Sequence, residues 1–553
     1  MTPCPGLERD RRNRQCRVCR AGCPLIERGP LEVRSLVVFR GVSVDADASG
    51  NGGGPQRVGG SGQRPSVAIV GGGFGGVGAA VLLVRAGYPD VTVFERGERV
   101  GGVWAHNTYP GAACDVPSHL YEFSFEPNPR WSRRYAPQAE IQQYIEAVAR
   151  RHGVLERART GTEVTRAQWV EERAKWQLQT SAGSFEADIL LTACGQLSIP
   201  KKPAMNGLDS FAGPVFHTAE WDHDVDLAGK RVAVIGTGCS AIQTVPAIQP
   251  VAGQIDVYQR SPGWTMPKMD FEYSERAKRL FERLPALQRL DRLATFAFMD
   301  VGAAAMTSQR WLLAPFRAAG RWQIKKAIDD SDLRAKVTPT DEVGCKRIML
   351  TDEWYPTLEK PNVELINERI EQITPTGIKS EDGTERPADV IVLATGFESH
   401  AFVAPMEVIG ASGRTLAEEW DPVGRAYLGL SVPGFPNMFL LYGPNTNGGT
   451  GSVIYVIEAG VAHVIAALDA LQRTNADRIE VRRERTDAFN RELRTALAGT
   501  VWHTGCTSWY VDENGNDPNQ WPWMWSTYRR RTQHLEPGAY ELTGRTLERA
   551  LGA

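Results

Sequence analysis

The chain of 553 residues predicts an α/β fold with two Rossmann-like dinucleotide-binding domains and a helical insertion, on three observations. A strand, a glycine turn, a helix and a second strand follow one another twice. The position that closes each second strand carries a carboxylate in one copy and a guanidinium in the other, Glu95 and Arg260. A stretch of about residues 271–336 shows helical periodicity with little β signal.

Residues 1–64 read as a disordered extension, with Cys4, Cys16, Cys19 and Cys23 followed by a Gly/Ser/Asn-rich linker from Ala48 to Gly62. The cysteine spacing could ligate zinc, but no second CxxC or His pair completes the pattern, so no metal site is assigned. The first domain is expected over 65–198. Val67–Val70 is its first strand, Gly71-Gly-Gly73-Phe74-Gly-Gly76 a turn that only glycine tolerates, 77–86 a helix and Val91–Phe94 the next strand. A helix over 138–155 and strands over 164–179 and 187–192 follow. The second domain is expected over 199–388, with a strand at 232–235, the turn Gly236-Thr237-Gly238-Cys239-Ser240-Ala241, a helix to about Ile248 and a strand at 255–258. Strand-like runs return at 390–393 and 438–441. A last helix over about 452–473 then leads into a Trp-rich tail, so 389–553 is assigned to the remainder of the first domain.

Composition narrows the function classes. Hydrophobic residues make up 42%, charged residues 23%, and the net charge is −2, as in an average soluble protein. A nucleic-acid binder driven by phosphate contacts is disfavoured. The best apolar run, 451–468, is interrupted by Glu458 and His463, so no membrane span is expected. The 271–336 stretch reads as a domain lid, because Arg, Lys and Glu interrupt any wide apolar face. Nine scattered cysteines and an N-terminus without an apolar export segment point to a reducing cytoplasm.

Each glycine turn opens a helix whose N-terminal N–H groups can face a pyrophosphate. The residue 24 positions after the first glycine then sets the sugar chemistry. Glu95 accepts hydrogen bonds from ribose hydroxyls and repels a 2′-phosphate, which suits FAD or NAD. Arg260 can pair with a 2′-phosphate, which selects NADP. A flavoprotein fed by NADPH must pass its electrons on. Cys114 stands alone and Cys194 has no near partner, so thiol chemistry is disfavoured and molecular oxygen or an external acceptor is left.

Two long fingerprints then make the chain, over residues 66–530, resemble the flavin-dependent Baeyer–Villiger monooxygenases, sisters of the flavin-containing monooxygenases. One is Phe211-Ala-Gly213-Pro-Val-Phe-His217-Thr-Ala-Glu-Trp221-Asp222; the other runs from Gly102 through Trp104, Tyr109, Pro110 and Gly111 to Asp115. The resemblance implies FAD and NADPH as cofactors, and a ketone and O2 as small-molecule partners. One oxygen atom is inserted beside the carbonyl by a C4a-peroxyflavin, giving an ester or lactone. Arg347 aligns with the arginine that stabilises that anionic species, and Asp115 with the aspartate that orients the arginine. Lys346, Arg260 and Ser261 resemble the 2′-phosphate site, and Trp104 and Tyr121 flavin-pocket aromatics. Trp509 resembles a tryptophan that contacts the nicotinamide cofactor. His217 is given a conformational role outside the active site. Residues 394–396 and 441–445 look like returns of the chain to the flavin, and the cluster Trp521, Trp523 and Trp525 reads as core. The tail from Asp512 resembles a less characterised branch, and nothing is carried onto residues 1–64. The alternative is oxygenation of soft nitrogen or sulfur, for which Arg347 would be dispensable.

Overall fold

The computed structural model describes residues 64–544; the cysteines and linker of the expected extension lie outside the described residues. Val67–Val70 is buried at all four positions, as an apolar β-type run must be when both faces of a parallel sheet are covered. It is the middle strand of a five-stranded parallel sheet, between Ile189–Thr192 and Val91–Phe94, with Met438–Leu440 and Ala158–Arg159 at the edges. The helix after the turn starts at Phe74, earlier than expected, so Gly76 lies inside it. Its N-cap, Gly73, brings no side-chain hydrogen bond, which leaves first-turn N–H groups available to a ligand.

A second five-stranded parallel sheet runs in the order Val363–Ile366, Gln254–Tyr258, Arg231–Ile235, Val390–Leu393, Val215–His217. The assignment of 390–393 to the first domain is corrected here, because that strand pairs with Arg231–Ile235. A short, wholly apolar run marks a buried strand but not which sheet buries it. Ala394–Gly396 abuts the second turn: a Cβ on Gly236 would sit 2.5 Å from the Ala394 carbonyl oxygen. Ala193 does the same beside Gly71, where a Cβ would meet its carbonyl oxygen at 2.4 Å.

The run expected over 164–179 folds back on itself as Val164–Val170 and Lys175–Thr180. Gly183–Ala187 and Glu407–Ile409 complete a separate four-stranded sheet. The insertion is helical, with Glu275–Arg283, Pro285–Thr307, Ala314–Ala327 and Ser331–Val337. It is spliced between strands Gln254–Tyr258 and Val363–Ile366 of the second sheet.

Helix Val453–Thr474 packs on Phe74–Arg85 in the main core. Among the described residues it alone is long and apolar enough to cross a membrane, and 67% of its most apolar window is buried inside the protein. Its interrupting polar groups are engaged: Glu458 accepts from the Ser124 N–H at 2.7 Å, and His463 Nε2 lies 2.8 Å from the Tyr540 hydroxyl. It is not the last helix; Arg483–Leu497 and Trp525–Thr532 follow. Trp521 and Trp525 are buried, and Trp521 packs edge-on to Trp523, so the tail folds onto the core. A disulfide that no local spacing announces joins Cys345 to Cys506, 161 residues apart.

Candidate active site

A cavity of about 2300 Å³ reaches both glycine turns. Of the residues singled out above, Gly71, Gly73, Phe74, Glu95, Trp104, Asp115 and Tyr121 line it from the first unit. Gly236, Thr237, Gly238, Ser240, Arg260, Ser261, Lys346, Arg347 and Trp509 line it from the rest of the chain. Gly76 stands behind the turn, where a Cβ would strike the Gly71 carbonyl oxygen. Phe211, Gly213, His217, Trp221 and Asp222 are not in the wall. Buried His217 instead accepts the Ala219 N–H through Nδ1 at 3.0 Å and caps a short turn, while Trp221 packs edge-on to Phe216.

Glu95 ends its strand 5% exposed. Burial alone would favour its protonated form, but His106 and the N–H groups of Gly97 and Gly72 outweigh that and hold its carboxyl below the usual range. Those N–H groups donate at 2.8 and 2.7 Å. The carboxylate is therefore charged beside the first turn, as discrimination against a 2′-phosphate requires. At the second turn Lys346 Nζ lies 3.0 Å from Ser261 Oγ and 2.6 Å from Asp341 Oδ2, with exposed Arg260 next in sequence to Ser261. Asp341, which sequence reasoning missed, holds the lysine in place.

Arg347 donates through Nη2 to Asp115 Oδ2 at 2.5 Å, and both side chains stay partly open to the cavity, 32% and 24% exposed. The Asp115 charge drives the guanidinium well above its ordinary pKa. Burial pushes Asp115 up, and the Arg347 charge overrides this and holds the carboxyl low. The result is a permanent, oriented ion pair facing a shared chamber. The fingerprint around Asp115 also joins the two units. Tyr109 donates to Gln243 Oε1 at 2.9 Å, and Gln243 Nε2 donates to the Ala113 carbonyl at 3.0 Å. Gly111, at φ +82°, lies where a Cβ would meet the Gln243 carbonyl oxygen at 2.4 Å.

Trp104 donates to the Tyr121 hydroxyl at 3.1 Å, and the Phe74 ring meets Tyr121 edge-on. Burial drives the Tyr121 phenol well above its ordinary pKa, so it stays neutral. Burial likewise raises the thiols of Cys114, Cys194 and Cys239, which keeps them from acting as nucleophiles. Trp509 is 36% exposed, with its carbonyl accepting from Ser399 Oγ at 3.1 Å. The Cys345–Cys506 bond ties the segments that carry Arg347 and Trp509.

The site fits two dinucleotides. Gly71 and Gly236 are each backed by a carbonyl that leaves no room for a Cβ, and the amide oxygen and nitrogen of Gln196, on the cavity wall, are buried without a partner. Gln196 has no motif around it, so the sequence offered no signal for it.

Residues 68–295 match the pyridine nucleotide-disulphide oxidoreductase family. Over 480 residues, the chain is 42% identical to a Baeyer-Villiger monooxygenase of Streptomyces coelicolor, covering 86% of this chain and 92% of that protein. It is 40% identical to a Baeyer-Villiger monooxygenase of Pseudomonas aeruginosa, with 86% and 91% covered. Among solved structures, an oxidized steroid monooxygenase bound to NADP superposes with a TM-score of 0.78 at 31% identity, covering 87% of this chain and 99% of that one. Cyclohexanone monooxygenase from Rhodococcus sp. Phi1 bound to NADP+ does so with a TM-score of 0.78 at 25% identity and the same coverage. With the Asp115 fingerprint in the wall of the chamber and relatives matched over nearly their whole length, the chain belongs to the Baeyer–Villiger monooxygenase family.

Proposed function

We propose that this chain converts a ketone, O2, NADPH and a proton into an ester or lactone, NADP+ and water, and that the residues around the cavity divide the work as follows. As a member of its family the chain is an NADPH-dependent flavoprotein monooxygenase. The Arg347–Asp115 pair, set in the wall of a chamber shared by both glycine turns, carries the conclusion.

FAD, when bound, would supply the chemistry of hydride acceptance from NADPH and of O2 activation. Glu95 would accept from the ribose hydroxyls of FAD, and the uncapped N-terminus of helix Phe74–Arg85 would hold its pyrophosphate. Arg260, Lys346 and Ser261 hold the 2′-phosphate of NADPH. Arg347 supplies a fixed positive charge that keeps an oxygen nucleophile anionic, and it cannot itself give up a proton. Asp115 aims that guanidinium and limits the net charge in the chamber. Trp104, Tyr121 and Phe74 exclude water from the same wall.

Product identification after incubating FAD-loaded protein with NADPH, ¹⁸O2, a panel of ketones and one aryl thioether tests the reading. An ester or lactone carrying one ¹⁸O supports it. Sulfoxide alone, with every ketone intact, overturns it.

A further inference from the structure

Of the large apolar side chains exposed among the described residues, eleven of fifteen lie between Met269 and Trp322, so the apolar surface is concentrated on the helical insertion. Along helix Pro285–Thr307, Leu287, Leu290, Ala294, Phe298 and Val301 recur every three to four residues and are all exposed. They form one stripe, beside the face of buried Gln288, Thr295, Gly302 and Met306. Apart from Asp291 at its edge, the charges lie off this stripe: Arg289 and Arg292 on the far side of the helix, and the other basic residues in the segments before and after it. From Glu275 to Ala327 eleven basic residues stand against four acidic ones, in a chain whose net charge is −2. Two of those acids, Glu275 and Glu282, are further neutralised by Arg130. Exposed Trp311 and Trp322 lie on the same insertion, a residue type suited to a boundary between apolar and wet phases.

We propose that this face seats on an anionic lipid surface. The cationic flanks meet headgroups while the Leu287–Val301 stripe enters the acyl boundary. A second copy of the chain is a poorer occupant, because it would oppose two strongly cationic faces. The N-terminal segment is poorer for the same reason, with nine arginines in its first 40 residues. Phe298 and Trp322 belong both to the exposed face and to the cavity wall, so an apolar substrate can pass from lipid to chamber without crossing water. That last step rests on the monooxygenase reading; seating on lipid does not.

The test is flotation of the full-length holoenzyme with vesicles of phosphatidylcholine, alone or mixed with phosphatidylglycerol, alongside sedimentation velocity without lipid. Expected is flotation with the anionic vesicles only, weakened by salt. It should fall by about tenfold in Leu287→Ser/Leu290→Ser/Val301→Ser and, independently, in Arg279→Glu/Arg283→Glu, with flavin content and circular dichroism retained. The charge variant keeps the test open if the apolar one fails to fold. Absence of flotation, flotation undiminished in both variants, or a lipid-free dimer that the apolar variant dissociates would each overturn the proposal.

Discussion

Arg347 and Asp115 meet across the boundary between the two nucleotide-binding units: the arginine lies in the crossover of the second sheet, and the aspartate ends a fingerprint anchored to the first. Their contact makes a reactive charge conditional on how the two units are docked. Replacing Arg347 with Ala is expected to lower ester formation by about 10²–10³-fold, the usual cost of losing one donor to a developing anion. NADPH should still bleach the flavin absorbance, since hydride transfer does not need this charge. Stopped-flow absorbance with product analysis separates the two steps.

Asp115 also gives a pH signature. Its folded-state pKa lies below the ordinary value of 3.8. The stability it contributes is therefore fully present above that value and is lost as pH falls through the lower, folded-state pKa. Urea denaturation of the wild type and Asp115→Asn should differ at pH 7, and the difference should shrink only in strong acid. A gap that stays constant to pH 2 would show that Asp115 is not ionised in the folded protein.

Arg260→Ala and Lys346→Ala are each expected to raise KM for NADPH by about 10- to 100-fold, the equivalent of one charged hydrogen bond. KM for NADH should hardly move, because that cofactor lacks the 2′-phosphate. Asp341→Asn should give a smaller rise, through loss of the partner that places Lys346.

Gly111→Val should destabilise the protein by about 1–3 kcal/mol through its left-handed backbone alone. The Cβ would also push against the Gln243 carbonyl oxygen. Chemical denaturation measures the first effect. The second should appear as slower ester formation with unchanged flavin content, since the fingerprint that carries Asp115 is lifted off the second unit.

Opening the Cys345–Cys506 bond with dithiothreitol, or removing it in Cys345→Ala/Cys506→Ala, is expected to cost about 2–4 kcal/mol. Trp509 sits three residues from one end of the link and Arg347 two from the other. NADP+ affinity should therefore weaken in parallel, as isothermal titration would report.

Local chemistry was the legible part of this protein. Gly71 and Gly236 are readable because only glycine tolerates a positive φ against a neighbouring carbonyl, and Glu95 and Arg260 because the distance from turn to strand end is constant. Pairing over long range was not. Val390–Leu393 is apolar on both faces and would suit either sheet. Cys345 and Cys506 share no local pattern, and Gln196 is placed only by the folded wall. The insertion shows a third limit: its cations, counted along the chain, hide the Leu287–Val301 stripe that becomes visible once the residues are set around a helix axis.

Arg260, Lys346, Arg347 and the helices that bear Phe298 and Trp322 all belong to one excursion of the chain, leaving the second sheet after Tyr258 and rejoining it at Val363. The residues proposed to lock the reductant and to stabilise the reacting anion, and the cavity wall that bears Phe298 and Trp322, are thus mounted on a single carriage. Any rotation of that carriage against the flavin-side unit would change all three together.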